Sequence, residues 1–155
     1  MKKSISASNV RYSMGFMNYC SHDPGAALVR IEGNNLDYIF AEEGFLSRTK
    51  KSYQFPIRSL NYCLDYYGIK IDEVDTFVFD YMDNKRTFRT SDNYRLLLGD
   101  FIRSNLKVNP KKIQFIDSHH LAHANTAFYP SGFEEATILI VDGLGSAQQT
   151  HSIFK

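Results

Sequence analysis

The sequence has few cysteines and no long apolar run, and both absences restrict the class of protein. Its two cysteines, Cys20 and Cys63, are far apart and show no CxxC spacing, which favours reduced core thiols in a cytoplasmic protein over a disulfide. No apolar run approaches 18 residues, so no membrane-spanning helix is expected. The opening MKKSISASNV lacks the apolar stretch of a signal peptide, and residues 1–10 are therefore predicted to form a disordered tail.

Net charge is also almost absent. The 18 basic and 17 acidic residues give a formal charge of +1, and the basic doublets are short and scattered. A nucleic-acid-binding domain would show a basic face, so no nucleic-acid partner is expected. The chain also shows no internal repeat and no low-complexity segment.

What the sequence does contain is a regular order of predicted elements in a chain of 155 residues, long enough for a hydrophobic core. Three strands joined by tight connections come first, and strand-helix alternation follows. A polar, basic loop is predicted over 44–55, and Pro56 and Gly68 are typical of the start and end of a helix. The predicted strands cover 11–19, 26–33, 36–43, 74–81, 112–117, 136–143 and 147–154, and the predicted helices cover 57–67, 92–106 and a stretch beginning at or just after Ser118.

This order predicts an α/β fold, in which a three-strand antiparallel meander and later strands form a mixed sheet with helices on its faces. It resembles the ribonuclease-H-like half-domain that occurs doubled in actin-like ATPases and sugar kinases. On this interpretation residues 11–135 form a first subdomain, and residues 136–155 are the first strands of an incomplete second one.

Three of the five histidines lie within the segment FIDSHHLAHANTAFYP. On a helix, His119 and His123 lie one turn apart on the same face and can reach one ion, whereas His120 is turned about 100° away from His119. A glutamate at position 120 would be needed for the HExxH protease motif, so that chemistry is disfavoured. Asp142, at the carboxyl end of ILIVDG, is the expected carboxylate ligand. The alternative is a helix cap with packed histidines.

The segment DGLG, residues 142–145, allows two interpretations. Asp-Gly between two strands is a favoured hairpin turn. The functional alternative is a glycine turn in which Gly143 and Gly145 bring backbone N–H groups close to a phosphate or nucleotide.

Two further segments contain candidate site residues. In SHDPG, His22 could serve as a general base or phosphate contact oriented by Asp23, or could be an exposed turn histidine. In AEEGFLSRTKK, Arg48 and Lys50 could form a basic lip for an anionic substrate, or the segment could be a solvated charged loop.

Taken together, four segments resemble the nodulation-type O-carbamoyltransferases in order and spacing. They are HDPGAALV, AEEGFLSR, FPIRSLNYCLDYYGI and HHLAHANTAFYPSGFEEATILIVDGLG, and they cover nearly the whole chain from about Tyr12. This family carbamoylates hydroxyls of Nod factors and of aminoglycoside and cephalosporin-type antibiotics. The tRNA threonylcarbamoyladenosine synthases are more distantly similar, sharing the HxxxH helix.

The resemblance implies an actin-like domain that holds iron, or alternatively zinc, and works with a domain that makes carbamoyladenylate from ATP and carbamoyl phosphate. It matches His119, His123 and Asp142 to metal ligands. It matches His22 to the residue that activates the acceptor hydroxyl. The implied partners are a small-molecule carbamoyl donor and a sugar-containing acceptor whose identity the sequence does not specify.

The sequence departs from the family pattern in three ways. Gly44 stands where the family usually has arginine, and Ser146 stands where a glutamate commonly follows the glycine turn. The second half-domain, with a further carboxylate ligand, and the adenylate-forming domain have no counterpart in these residues. The chain is therefore expected to be the amino-terminal, metal-binding portion of a carbamoyltransferase, inactive without carboxyl-terminal domains or a partner chain.

Two other functions are compatible with parts of the sequence. A non-catalytic binding or regulatory module could have kept the fold and lost the chemistry. An actin-like sugar kinase fragment would explain DGLG but not HHLAHA. In every case the last two strands are expected to leave apolar edges that dock back on the domain or pair between chains as a homodimer.

Overall fold

The computed structural model of the chain describes residues 10–17, 23–50, 54–80, 106–116, 118–143 and 149–155. Most of the helix predicted over 92–106 lies outside these residues, as do Cys20, His22, Gly145 and Ser146. Within the described ranges, no helix is long and apolar enough to cross a membrane. The chain divides into two compact units, Met1–Val78 and Phe79–Lys155.

The first unit begins with three strands, β1 (Val10–Met17), β2 (Gly25–Glu32) and β3 (Asn35–Glu42). β2 pairs antiparallel with both of the others. Gly33, with a φ of 60°, and Asn34 form the two-residue turn between β2 and β3, as the hairpin signal predicted. β1 starts at Val10, a residue predicted to belong to the disordered tail.

Helix α2 (Ile57–Tyr67) packs its apolar face on β2 and β3. It begins after Pro56 and ends at Gly68, which has a φ of 65°, a left-handed conformation that glycine adopts readily. The predicted boundaries are therefore confirmed. Side chains from both layers form the core of this unit, including Met14, Phe16, Ala26, Leu28, Leu60, Cys63 and Leu64. Cys63 is a free, buried thiol, in agreement with the prediction for that cysteine.

The predicted loop over 44–55 is partly wrong, because a short helix, α1 (Glu43–Ser47), begins there. Glu43 is buried and accepts hydrogen bonds from the backbone N–H and the hydroxyl of Ser59, both at 2.8 Å. Its own N–H donates to the carbonyl of Pro24 at 2.8 Å. These contacts hold the start of α1 against the first turn of α2, and no local pattern in the segment indicates them.

Among the described residues, two further strands extend the sheet to five, in the order β3-β2-β1-β4-β5, so the fold is mixed α/β as predicted. They are β4 (Thr76–Asp80) and β5 (Ile113–Ile116), both shorter than their predicted ranges. β4 starts late because a 3-10 turn over Ile71–Glu73 precedes it, with the Val74 N–H donating to the Ile71 carbonyl.

The second unit continues from β5 with helix α3 (His119–Phe128) and a separate antiparallel pair, β6 (Ile138–Val141) and β7 (His151–Phe154). β7 is the predicted hairpin partner of β6. Val141 pairs with His151, and Asp142 and Gly143 follow β6 directly, so Asp-Gly begins the connection between two antiparallel strands, and its role as a hairpin turn stays a prediction. Ile140 is buried and β6 packs against α3, whereas Leu139, Val141 and Ile153 on the other face are exposed.

Candidate metal centre

The first two turns of α3 position the two predicted metal-binding histidines. Ser118 caps the helix, its hydroxyl oxygen accepting from the backbone N–H of Leu121 at 3.2 Å. With the helix begun at His119, residues 119 and 123 stand four positions apart on one face. Their ring centroids are 4.5 Å apart and their Nε2 atoms 2.9 Å apart.

Asp142 follows the last residue of β6 and faces this histidine pair. Its backbone N–H donates to the carbonyl of Thr150 at 2.8 Å, which holds the strand end against the start of β7. One carboxylate oxygen, Oδ1, accepts from the Gly143 N–H at 2.6 Å. The other, Oδ2, is buried without a hydrogen-bond partner and lies 3.1 Å from His119 Nε2 and 3.9 Å from His123 Nε2.

These separations suit ligands of one ion. Nitrogen and oxygen ligands about 2.1 Å from a divalent ion, at tetrahedral or right angles, lie roughly 3.0–3.4 Å from each other. The His119–His123 and His119–Asp142 separations of 2.9 and 3.1 Å are close to that range, and the 3.9 Å between His123 and Asp142 corresponds to a wider angle. Within the described ranges, these three side chains form the group whose ligand atoms converge in this way.

The site is buried on one side and open on the other. The side chains of His119 and Asp142 are 16% and 27% exposed, whereas that of His123 is 51% exposed. Burial of the Asp142 carboxyl acts to raise its pKa, but the Gly143 N–H and the nearby His119, His123 and His120 outweigh that effect and lower the pKa overall. The carboxylate is therefore ionised at neutral pH, the form that binds a cation.

His120 has a role that the sequence did not reveal. It lies outside the converging group, as expected from its rotation of about 100° around the helix from His119. It is nevertheless fully buried, and its Nε2 lies 3.9 Å from Asp142 Oδ2. Its Nδ1 lies 2.6 Å from the hydroxyl oxygen of Ser152 on β7. The alternation of HSIF, which turns Ser152 to the side of β7 opposite the exposed Ile153, was the signal that could have indicated this partner.

The other predicted site residues have separate outcomes. Gly143 directs its N–H at the Asp142 carboxylate, and its assignment to phosphate binding stays a prediction. His22 and Gly145 lie outside the described residues. Arg48 and Lys50 are exposed in the first unit, where Arg48 ends α1 with a φ of 60°, and the proposed substrate lip also stays a prediction.

Comparison with known proteins identifies the family. Residues 13–105 match the family model described as "Carbamoyltransferase N-terminus". The chain belongs to the carbamoyltransferase family. The matched segment ends before α3, so the candidate metal centre rests on its geometry and on the resemblance of its motif.

Two curated relatives extend the comparison of this carbamoyltransferase chain. Nodulation protein NolNO of Sinorhizobium fredii is 35% identical over 147 residues, which cover 86% of this chain and 21% of that protein. The uncharacterized protein sll1178 of Synechocystis is 30% identical over 152 residues, covering 80% of this chain and 24% of that protein. The chain therefore spans about a fifth to a quarter of the length of these relatives.

Among solved structures, YeaZ from Pseudomonas aeruginosa superposes with a TM-score of 0.45 at 8% identity, covering 92% of this chain and 66% of that chain. An uncharacterized protein with similarity to peptidase YEAZ from Pseudomonas aeruginosa gives a TM-score of 0.42 at 7% identity, covering 93% and 66%. The ribonuclease-H-like half-domain remains a prediction.

Proposed function

We propose that this chain is the amino-terminal, metal-binding portion of an O-carbamoyltransferase. The complete enzyme transfers a carbamoyl group from carbamoyladenylate, made from carbamoyl phosphate and ATP, to a hydroxyl of a sugar-containing acceptor. Family membership supports the class of reaction. The observation that carries the metal-binding part is the convergence of His119, His123 and Asp142, with one buried carboxylate oxygen that has no hydrogen-bond partner.

The donor set suits a divalent transition metal. Two imidazole nitrogens and a carboxylate oxygen bind iron or zinc, and we propose iron with zinc as the alternative. A bound ion would supply Lewis acidity that polarises the carbamoyl group and its attached phosphate. The exposed side of His123 leaves a face of the site open, where the carbamoyl donor can approach.

Other residues are proposed to handle the two substrates. His22 takes the proton of the acceptor hydroxyl, whose oxygen then bonds to the carbamoyl carbon while the bond to the adenylate phosphate breaks and AMP leaves. Gly143 and Gly145 contribute backbone to the phosphate or nucleotide site, and Arg48 and Lys50 attract the anionic donor. These roles belong to the complete enzyme, of which this chain would contribute one part.

The first test is metal content per chain, measured by elemental analysis on protein purified without a histidine tag or chelator. The double variant His119→Ala, His123→Ala is prepared in parallel. A matched control is His151→Ala, which removes an exposed histidine of the same unit that lies outside the converging group. We expect near-stoichiometric iron or zinc in the wild type and in the control, and loss of the metal in the double variant.

A folded wild type that binds no metal under iron- or zinc-replete conditions would contradict the metal-binding proposal. The transfer reaction is tested separately, by supplying the carboxyl-terminal portion of a full-length relative and assaying carbamoyl transfer from carbamoyl phosphate and ATP. Metal binding without any transfer in that reconstituted system would instead favour a non-catalytic binding or regulatory module.

A further inference from the structure

His120 and Asp142 present two buried polar atoms to each other, and neither atom has a hydrogen-bond partner. His120 Nε2 and Asp142 Oδ2 are 3.9 Å apart, and the histidine side chain is fully buried. This separation is too long for a hydrogen bond and too short for a bridging water, which needs about 4.5 Å or more between the atoms it joins. Buried polar atoms without partners are costly, so this pair requires an explanation.

The contact with Ser152 indicates which ring nitrogen carries the proton. If Nδ1 donated to the hydroxyl, the lone pair of Nε2 would face the carboxylate oxygen at 3.9 Å in a buried setting, which is repulsive. If the Ser152 hydroxyl donates to Nδ1, the proton resides on Nε2 and its N–H faces Oδ2 favourably. The second arrangement satisfies both ends of the ring.

We infer that His120 is a positioning residue. The hydrogen bond from Ser152 to Nδ1 keeps the proton on Nε2, and this Nε2–H orients the Asp142 carboxylate toward the histidine pair. The inference rests on the proposed role of Asp142 as a metal ligand. The Gly143 N–H holds Oδ1 by a hydrogen bond of 2.6 Å, and the His120 N–H attracts Oδ2 electrostatically from 3.9 Å, on the same oxygen that lies 3.1 Å from His119 Nε2.

The variants His120→Gln and His120→Asn, whose side chains differ by one methylene, distinguish a role of His120 in orienting Asp142 from a role in packing alone. The amide nitrogen of glutamine can occupy the place of Nε2 and direct an N–H toward the Asp142 carboxylate, whereas the shorter asparagine can reach only the Ser152 side. Loss of such an outer contact typically weakens metal affinity 10–100-fold. We therefore expect His120→Asn to weaken binding of Co²⁺, used as a spectroscopic probe, by about 10–100-fold, with His120→Gln close to wild type.

Circular dichroism establishes that both variants are folded before titration. Equal weakening by the two variants, or no change in either, would overturn the positioning role while leaving the metal site itself intact. A wild type that binds neither Co²⁺, iron nor zinc would contradict the proposed function instead, so the two failures are distinguishable.

A second measurement requires neither variant nor metal. Long-range ¹H–¹⁵N correlation spectra of the metal-free wild type distinguish the two ring tautomers by the chemical shifts of Nδ1 and Nε2. We expect His120 to carry its proton on Nε2 and Ser152→Ala to release that preference. A His120 ring protonated on Nδ1 alone would overturn the inference, whatever the titrations show.

Discussion

At the scale of single residues, Glu43 shows how a charged side chain can support a fold. Its buried carboxylate satisfies two donors of Ser59 in the first turn of α2, where the helix leaves N–H groups without intrahelical partners. The interpretation of this segment as a solvated charged loop is therefore wrong for Glu43. The residue connects α1 to α2 through a contact between positions 16 residues apart.

We expect Glu43→Gln to lower the free energy of unfolding by about 1–3 kcal/mol, because a neutral amide accepts these hydrogen bonds less strongly than a carboxylate. Urea unfolding followed by circular dichroism measures the change. The adjacent, half-buried Glu42 provides the control, and Glu42→Gln should have a smaller effect. Equal losses in both variants would show that the hydrogen bonds between Glu43 and Ser59 do not account for the result.

Cys63 gives a second prediction at this scale, based on its pKa. Burial raises the pKa of its thiol from 9.0 to about 11, and the thiol is the less reactive form of the group. In a Cys20→Ser background, the folded protein at pH 8 should react with Ellman's reagent far more slowly than the urea-unfolded protein. Similar rates in the two states would contradict a buried Cys63.

The same shift has a consequence for stability, with a defined sign. Because the folded pKa lies above the unfolded one, the neutral thiol contributes its full stabilisation below about pH 9. That contribution is lost as the pH rises toward 11. The difference in unfolding free energy between wild type and Cys63→Ala should therefore shrink over this interval.

At the scale of elements, the β6–β7 hairpin has two unlike faces. Ile140 is buried where the hairpin packs on α3, whereas Leu139, Val141 and Ile153 are 63–67% exposed. Leu139 and Ile153 are cross-strand partners, so the exposed apolar side chains are contiguous. One face of the hairpin thus packs on its own unit, which agrees with the predicted alternative that the last strands dock back on the domain. The other face is exposed and is available for association.

We expect the double variant Leu139→Thr, Ile153→Thr to reduce self-association of this chain while leaving the fold intact, since threonine retains strand propensity. Sedimentation velocity at high micromolar concentration measures the association. Tyr38→Thr, at an exposed position of β3 in the first unit, tests for a general effect of surface hydrophobicity. A wild type that stays monomeric throughout would contradict the prediction.

At the scale of the whole molecule, the proposed metal should affect stability. All three candidate ligands lie in the second unit, so an ion bound to the folded form alone would stabilise that unit. At a free concentration 100 times the dissociation constant, the stabilisation is about 2.7 kcal/mol.

The Tm for thermal unfolding should therefore be higher with added metal than without it. The metal is either zinc or iron, and the iron samples are kept under anaerobic conditions. Asp142→Asn should greatly reduce the increase, because a neutral amide is a poorer ligand for a cation. An equal increase in wild type and variant would indicate that the metal binds elsewhere.

Much of the local structure was predictable because its causes lie within a few residues. Pro56 and Gly68 set the start and the end of α2 through their own backbone preferences. Ser118 caps α3 by accepting a hydrogen bond from an N–H only three residues away, and Gly33 supplies the turn between β2 and β3. The i, i+4 spacing of His119 and His123 likewise places both on one helix face without reference to the rest of the chain.

The sequence by itself therefore determined most of the described strands and helices, and which side chains share a face, because backbone propensity and side-chain periodicity act over a few residues. Only the tertiary structure decided that Glu43 starts a helix, that the Asp142 carboxylate lies 3.1 Å from His119, and that His120 is buried against Ser152. The last pair is separated by 32 positions along the chain. Contacts of this kind depend on how distant segments pack, which no local pattern of residues encodes.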